Sequence, residues 1–426
     1  MSELDSPPSH PTSRLPSGSW DTTSQADAVF LELQTRQGRE DPYSRYTRLR
    51  ELAPVHVSRY GVTVLTRYED CARALRSPDL QVEDAAWMDL NEPDWRRSPT
   101  NVVMGESLLH RNPPDHTRLR KLVSGSFTPR RVRELVPRIE ALVAAELDMM
   151  ADAGSDGGPV DVHDLMAFPL PVSVIGALLG VPESDWSWLR GPTAAISVVF
   201  DLFAFEEAYE RSDRAIRELA PYLTDLIEQR RKSPQDDMIS ALISVRDRDG
   251  GLTEDELLQT VMLLFIAGFE TTVNLITNGV MALLRHPEQR AALLADPTLA
   301  EAAVEEVLRY DAPVQGTMRH AIRDTRIGGV PVPEGSRVVA FLGAANRDPG
   351  QFTHPDRFDI RREGPKATSF GGGIHYCLGA SLARLEAAIA LPALITRFPR
   401  LALHGEAELR PIFNLRGYSR LPVTLG

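Results

Sequence analysis

The sequence predicts a mainly helical fold with small β-sheets, of α+β class, in a single domain. Two patterns and one absence carry that prediction. Apolar residues recur at spacings of three and four across 131–153, 208–231, 254–284 and 299–310, with polar residues between them, as amphipathic or buried helices require. β-Branched runs are short and lie toward the two ends of the chain. Internal repeats and long low-complexity linkers are absent, so nothing divides the chain into separable halves.

In chain order, residues 1–26 are rich in Ser, Pro, Thr and Asp and lack the basic and apolar regions of a signal peptide. They are expected to form a disordered tail, with the domain spanning 27–426. Runs at 55–57 and 62–65 predict paired strands, and 68–75 a short amphipathic helix in which Cys71 is a passive core residue. The longest apolar stretch, 165–182, is broken by Pro169, Pro171 and Gly176 and follows Asp161, His163 and Asp164, which suits a buried helix rather than a membrane span. Further strands are expected over 327–341 around Pro333-Glu334-Gly335, and near Leu401 and Val423. A last helix covers 381–395.

Composition narrows the function. Of the 426 residues, 47 are Lys or Arg and 59 are Asp or Glu, a formal net charge of -12, which argues against broad binding to nucleic acid or anionic membranes. With only Cys71 and Cys377 there is no disulfide framework and no four-cysteine zinc site, so a reducing compartment, the cytoplasm, is the simplest setting. No strand leads into GxGxxG or GxxxxGK[ST]. The chain therefore carries no nicotinamide or flavin domain of its own, and any electrons must come from outside.

The most informative segment runs from Ser369 to Ala380: Ser-Phe-Gly-Gly-Gly-Ile-His-Tyr-Cys-Leu-Gly-Ala. Three glycines let the backbone take positive φ and approach a bulky flat group, and they end just before a cysteine at a helix start. A thiolate there gains from the helix dipole and nearby N–H groups. A lone cysteine after a glycine turn is more often a buried core residue. Phe370, the glycine run, His375, Cys377 and Gly379 at this spacing, however, resemble the haem-binding loop of the cytochrome P-450 family. The resemblance implies haem b held between two central helices with Cys377 as the axial thiolate ligand of the iron.

Further motifs of that family follow in order over about 41–426. Glu306-Val307-Leu308-Arg309 sets a carboxylate and a guanidinium three apart on one helical face. It resembles the family's ExxR helix, and Arg357 in His354-Pro355-Asp356-Arg357-Phe358 matches the third member of that structural triad. In Ala267-Gly268-Phe269-Glu270-Thr271-Thr272, Ala267, Gly268 and Thr271 share one face, small enough to admit a flat cofactor or a diatomic. Such hydroxyls usually bond back to preceding carbonyls. The match to the family's oxygen-activating helix implies instead that Glu270 and Thr271 are the acid and alcohol that relay protons to dioxygen. His116 and Arg120, four apart on one face, with Arg319 and His375, match the family's partners for the haem propionates, a dicarboxylate that cannot be left bare in a partly dry pocket.

Six basic residues and no acidic one lie between Arg118 and Arg133, an island in an acidic chain. In the resembled fold this stretch borders the cysteine side of the haem, so Arg118, Lys121, Arg130 and Arg131 are expected to dock a ferredoxin or flavodoxin that works with its own reductase. Segments matching the family's variable substrate regions are mostly apolar. Trp87, Met88, Val198, Phe265, Phe269, Val314 and Phe413, with Phe203 beside them, are expected to line a pocket for a hydrophobic small molecule. The resemblance implies a monomeric, soluble bacterial monooxygenase that inserts one atom of O2 into such a molecule, a polyketide or terpenoid intermediate of secondary metabolism. Two alternatives stand beside it. A haem-based sensor or ligand-binding protein would show no turnover, and a peroxide-using haem enzyme would not need the acid-alcohol pair.

Overall fold

The structure is a computed structural model and describes residues 20–202, 206–246 and 251–426. Its centre is the Glu254–Arg285 helix, 32 residues long. Thr253 and Glu256 start that helix by a reciprocal capping box, the Thr253 hydroxyl accepting from Glu256 N–H at 3.2 Å and the Glu256 carboxylate from Thr253 N–H at 2.9 Å. His286 ends it ahead of Pro287, whose ring excludes further helix. Helices Pro169–Leu179, Glu206–Lys232, Ala300–Tyr310 and Ala380–Arg397 pack around it. By length and composition the central helix could cross a membrane, but most of it is buried inside the protein.

Other helices lie where the apolar periodicity sets them, with two differences. The 131–153 pattern is divided into Pro129–Glu134 and Val136–Ala153, because Pro137 in the first turn of the second helix supplies no N–H to a preceding turn. The 165–182 stretch opens with a π-helical turn, His163–Ala167, before Pro169–Leu179, and Gly180 closes it at φ 84°.

Strands Val55–Val57, Val62–Leu65, Arg337–Ala340, Thr317–Ala321 and Leu80–Gln81 form a five-stranded sheet in that order. Only the Val62–Leu65 and Arg337–Ala340 pair is parallel. A three-stranded sheet joins Val160–Asp161, Pro422–Thr424 and Ala402–Leu403, and two hairpins complete the set. The first sheet carries Arg319 toward the centre of the molecule.

One boundary is corrected. The tail expected over 1–26 gives way to a helix, Trp20–Glu32, within that span, while residues 1–19 lie outside the described residues. Ala26, Phe30 and Leu33 are buried against Tyr46 and Phe341. Asp27 fixes the helix to the sheet: Ser58 Oγ donates to its Oδ1 at 2.6 Å, and His56 Nε2 lies 2.8 Å from the same oxygen. A buried carboxylate needs such partners, and they come from a strand that sequence periodicity does not connect to it.

Candidate active site

The helix Ala380–Arg397 and the central helix enclose, with the Ser369–Gly379 loop, a cavity of about 1570 Å³ counted out to its open mouth. The loop is shaped by its glycines. Gly371 and Gly373 take φ of 71° and 65°, and a Cβ on Gly373 would meet the Leu75 carbonyl oxygen at 2.3 Å, so any side chain there would displace backbone. The Cys377 N–H donates to Phe370 O at 3.0 Å, which closes the loop under Cys377. Its thiol opens into the cavity. Burial pushes that thiol up, while the N–H groups of Gly379 and Ala380 and the charges of Arg120 and Arg384 favour the thiolate. The helix itself begins at Ala380, three residues beyond the cysteine.

Phe370, His375 and Gly379 line the cavity, and so do Ala267, Gly268, His116, Arg120 and Arg319. The last three and His375 converge on one polar stretch of wall. Both ring nitrogens of His116 and Nε2 of His375 are buried without a hydrogen-bond partner, and the two rings are 4.3 Å apart. Arg120 Nη2 donates to Tyr376 O at 2.7 Å. Among the described residues Arg319 bonds only to Thr317 Oγ1 and Met318 O, at 3.1 and 2.6 Å, and burial lowers its pKa to about 10. Burial first, then Arg319, His116, His110 and Arg120, lowers His375 to about 3. Cations and imidazoles gathered in a dry wall without an anion among them suit a bound dicarboxylate. The orphaned nitrogens therefore fit the propionates of haem, and Cys377 beside them fits its axial ligand. His110, which acts on His375 by charge, does not line the cavity: it stands on a short 3-10 turn with Nδ1 3.2 Å from Glu83 O. No sequence pattern distinguished it.

On the central helix the cavity face runs Thr260, Leu263, Leu264, Ala267, Gly268, Thr271, Thr272 and Leu275, a stripe at spacings of three and four. Thr271 Oγ1 donates to Ala267 O at 3.3 Å, and Thr272 Oγ1 to Gly268 O at 3.5 Å. Glu270 is placed differently from the expected relay. It is fully buried off the cavity and paired with Arg410, whose Nη2 also donates to Ser197 Oγ at 3.2 Å. A carboxylate one residue before Thr271 sits about 100° round the helix, which turns it from the stripe.

The same rotation corrects the pocket assignments. Val314 lines the cavity. Phe265 and Phe269 do not: both are buried on the opposite side, their rings 6.5 Å apart, with Phe269 edge-on to Phe168 at 5.7 Å. Trp87 leaves the cavity to stack on His320 at 5.7 Å under the Arg337 guanidinium at 4.7 Å, and Met88 beside it is likewise absent from the lining. Phe413 packs on Phe341 at 5.8 Å. The Val198 side chain and Phe203 lie outside the described residues. Instead Val82, Leu109, Ile175, Leu263, Leu264 and Pro313 supply apolar wall. Leu263 and Leu264 continue the Ala267-Gly268-Thr271 stripe back by one turn, so the helical period alone points to them.

In the scaffold triad, Glu306 and Arg309 are buried and form a two-pronged pair at 2.7 and 2.8 Å. The third member is Arg362, not Arg357. Arg362 Nε reaches both Glu306 oxygens at 3.1 and 3.2 Å, and its side chain is 15% exposed. Arg357 is 65% exposed with Asp359 at 3.7 Å, and it contributes only its carbonyl, to Arg309 and Arg362. Position after the ExxR helix does not distinguish them, because two arginines five apart flank the same turn.

Of the basic island, Arg118 is bound to Glu256 and Arg130 to Glu134. Lys121 and Arg131 form no ion pair among the described residues, and the Asp115–Ser126 helix does border the cysteine loop through the Arg120 contact. Ile374 and Tyr376 of that loop are exposed beside it.

Comparison with known proteins agrees with this geometry. The family model described as Cytochrome P450 matches residues 187–422. Cytochrome P450 monooxygenase PikC of Streptomyces venezuelae is 42% identical over 94% of this chain and 95% of its own. The 6-deoxyerythronolide B hydroxylase of Saccharopolyspora erythraea is 42% identical over 92% and 98%. Among solved structures, P450BioI in complex with an acyl carrier protein bearing hexadec-9Z-enoic acid superposes with a TM-score of 0.85 at 39% identity, covering 92% of this chain and 100% of that one.

Proposed function

Because this chain belongs to the cytochrome P450 family, a monooxygenase that binds haem through a cysteine thiolate, we propose that its substrate is a neutral, apolar molecule of polyketide or terpenoid type. The observation that carries the proposal is the cavity wall. Outside the cluster of His116, Arg120, Arg319 and His375, Glu386 is its one charged type of side chain, and the stripe of Leu263, Leu264, Ala267 and Gly268 faces Val82, Ile175 and Val314. Such a wall offers orientation by shape and little by charge. Relatives named for a macrolide precursor and for polyketide biosynthesis support this class.

The haem, when bound, supplies the iron chemistry by which dioxygen is reduced and one oxygen atom is delivered. For hydroxylation the balance is R–H + O2 + 2 e⁻ + 2 H⁺ giving R–OH + H2O. Cys377 is the residue that would ligate the metal, and His116, Arg120, Arg319 and His375 those that would hold the propionates. The apolar stripe orients the substrate and keeps bulk water out. Thr271, its hydroxyl on the cavity wall, passes protons inward. With no nucleotide domain evident in the sequence, both electrons come from a ferredoxin or flavodoxin and its reductase in the cytoplasm. Lys121 and Arg131, which form no ion pair among the described residues, together with the exposed Ile374 and Tyr376 of the cysteine loop, favour docking of that acidic partner on the cysteine side.

The test is a substrate-induced spin-state titration of the purified protein with apolar macrolactones and terpenoids, followed by product analysis with surrogate ferredoxin. A shift with oxygenated product supports the proposal. Binding without reductant-dependent product would make the protein a ligand binder or sensor, and a preference for charged ligands would overturn the substrate class.

A further inference from the structure

Asn414 is a buried amide that does not line the cavity, yet it bonds to the chain that does. Its backbone carbonyl accepts from Gln315 N–H at 2.9 Å, and its Oδ1 accepts from Gly316 N–H at 2.8 Å. Its Nδ2 donates to Phe200 O at 2.7 Å, and its own N–H donates to Asp201 Oδ1 at 3.3 Å. One residue thereby joins three stretches that are far apart in sequence: 197–202, 313–317 and 410–416.

The middle stretch is cavity wall, through Pro313, Val314 and Thr317. Its first residues are held by little besides the Asn414 turn. Val314 forms a single bridge to Leu415, and Arg416 N–H donates to Pro313 O at 2.8 Å. The Gln315 side chain reaches the other way, donating to Ala312 O at 2.7 Å and accepting from Tyr46 O–H at 2.9 Å. The 197–202 stretch is tied to the same turn from outside the cavity. Asp201 Oδ2 accepts from Phe413 N–H at 3.1 Å, Ser197 Oγ accepts from Arg410, and Leu202 packs so closely on Gly316 that a Cβ there would lie 3.1 Å from its Cδ1. Deleting the Asn414 amide would leave the Gly316 N–H buried without its partner, and the wall would have to shift to satisfy it.

We infer that Asn414 is a positioning residue for the monooxygenase: it fixes the Pro313–Thr317 wall against the 197–202 stretch, and so sets which carbon of an apolar substrate is oxidised. The inference rests on the monooxygenase reading above. A substrate with few polar anchors is oriented by the shape of its wall, and small misplacements of the reacting carbon are costly, so a residue that never touches the substrate can decide the product through Val314 and its neighbours.

The experiment compares the haem-loaded wild type with Asn414→Ala, Asn414→Asp and Asp201→Asn. Two ratios read the wall. One is the affinity for 1-phenylimidazole relative to 4-phenylimidazole, isomers that ligate haem iron and differ in shape; the other is the proportion of isomers formed on oxygenation of limonene, a terpenoid with several oxidisable carbons. Asn414→Ala should keep the thiolate carbonyl band but shift the ratios by at least about threefold and raise KM more than it lowers kcat. Asn414→Asp retains an acceptor for Gly316 N–H and should lie nearer the wild type. Asp201→Asn should shift the ratios in the same direction by less, and it decides the matter if Asn414→Ala fails to load haem. If limonene is not oxidised, the imidazole ratio decides. Unchanged ratios in the loaded Asn414→Ala protein, or in Asp201→Asn where it stands in, make Asn414 a purely structural residue whatever the loss of stability, and overturn the inference alone. An Asn414→Asp protein displaced as far as Asn414→Ala overturns it too. A wild-type protein that lacks the carbonyl band, or reductant-dependent oxygenation of any macrolactone or terpenoid, overturns the underlying reading as well.

Discussion

Removing Arg362 should cost far more stability than removing Arg357, although the two arginines are five residues apart on one turn. In Arg362→Ala the Glu306 carboxylate loses one of its two guanidinium partners while buried, and the carbonyls of Thr353, His354 and Arg357 lose a donor each. Breaking a buried pair by deleting one partner costs about 3–5 kcal/mol. Because Arg309 still holds Glu306 with two bonds, the low end, about 3 kcal/mol, is expected. Domain stabilities are about 5–15 kcal/mol, so this is a large share and should also loosen the loop that carries Cys377. Arg357→Ala removes an exposed side chain whose nearest acid is 3.7 Å away, worth about 0.5 kcal/mol or less. Paired denaturant titrations of the two variants, monitored by haem absorbance and by far-ultraviolet circular dichroism, measure the difference. Equal losses, or a larger loss for Arg357→Ala, would refute the assignment of Arg362 to the triad.

Cys377→Ser should abolish the red-shifted ferrous carbonyl band of thiolate-ligated haem, while Cys71→Ala, at a fully buried site with no role at the cavity, should keep it and cost about 1 kcal/mol. Arg319→Leu should have opposite effects on two readouts: it relieves a buried cation that lacks an acidic partner, stabilising the haem-free chain by about 1 kcal/mol or more, yet it weakens haem retention, measured by transfer to apomyoglobin. Glu146 is an acid whose pKa rises on folding, so its contribution is complete below its unfolded value near 4.5 and is lost as pH climbs to about 9. Wild-type stability should therefore fall across that window by up to about 1.4 kcal/mol per pH unit for each such group, and Glu146→Gln should flatten the decline in denaturant midpoints. Thr271→Ala should leave haem loading and substrate affinity intact but divert electrons to hydrogen peroxide, seen as a lower ratio of product to reductant consumed; full coupling in that variant would remove Thr271 from the proton route.

Local chemistry determined much of this protein before any fold was known. The glycine run before Cys377 demands backbone conformations that only glycine accepts freely, and the clash that a Cβ on Gly373 would make with Leu75 O shows why. The Ala267-Gly268-Thr271 stripe follows from 3.6 residues per turn, and extending it by that same period reaches Leu263 and Leu264. Those features are legible because they depend on neighbours within a turn or two. What tertiary structure alone decided depends on partners far away in sequence. Glu270 turns off the cavity because it meets Arg410, 140 residues later, and Arg362 rather than Arg357 reaches Glu306 because of how its turn lies over the ExxR helix. Phe265, Phe269 and Trp87 are large and apolar, as pocket residues often are, but composition does not say on which side of a helix or loop they will find their packing. Glu386 and Glu146 are ordinary helical acids by sequence, and only the packing of their two helices removes them from water and, among the described residues, from ion pairing. Burial is a property of the assembled core, and it is burial that moves an ordinary helical acid out of the usual carboxylate range.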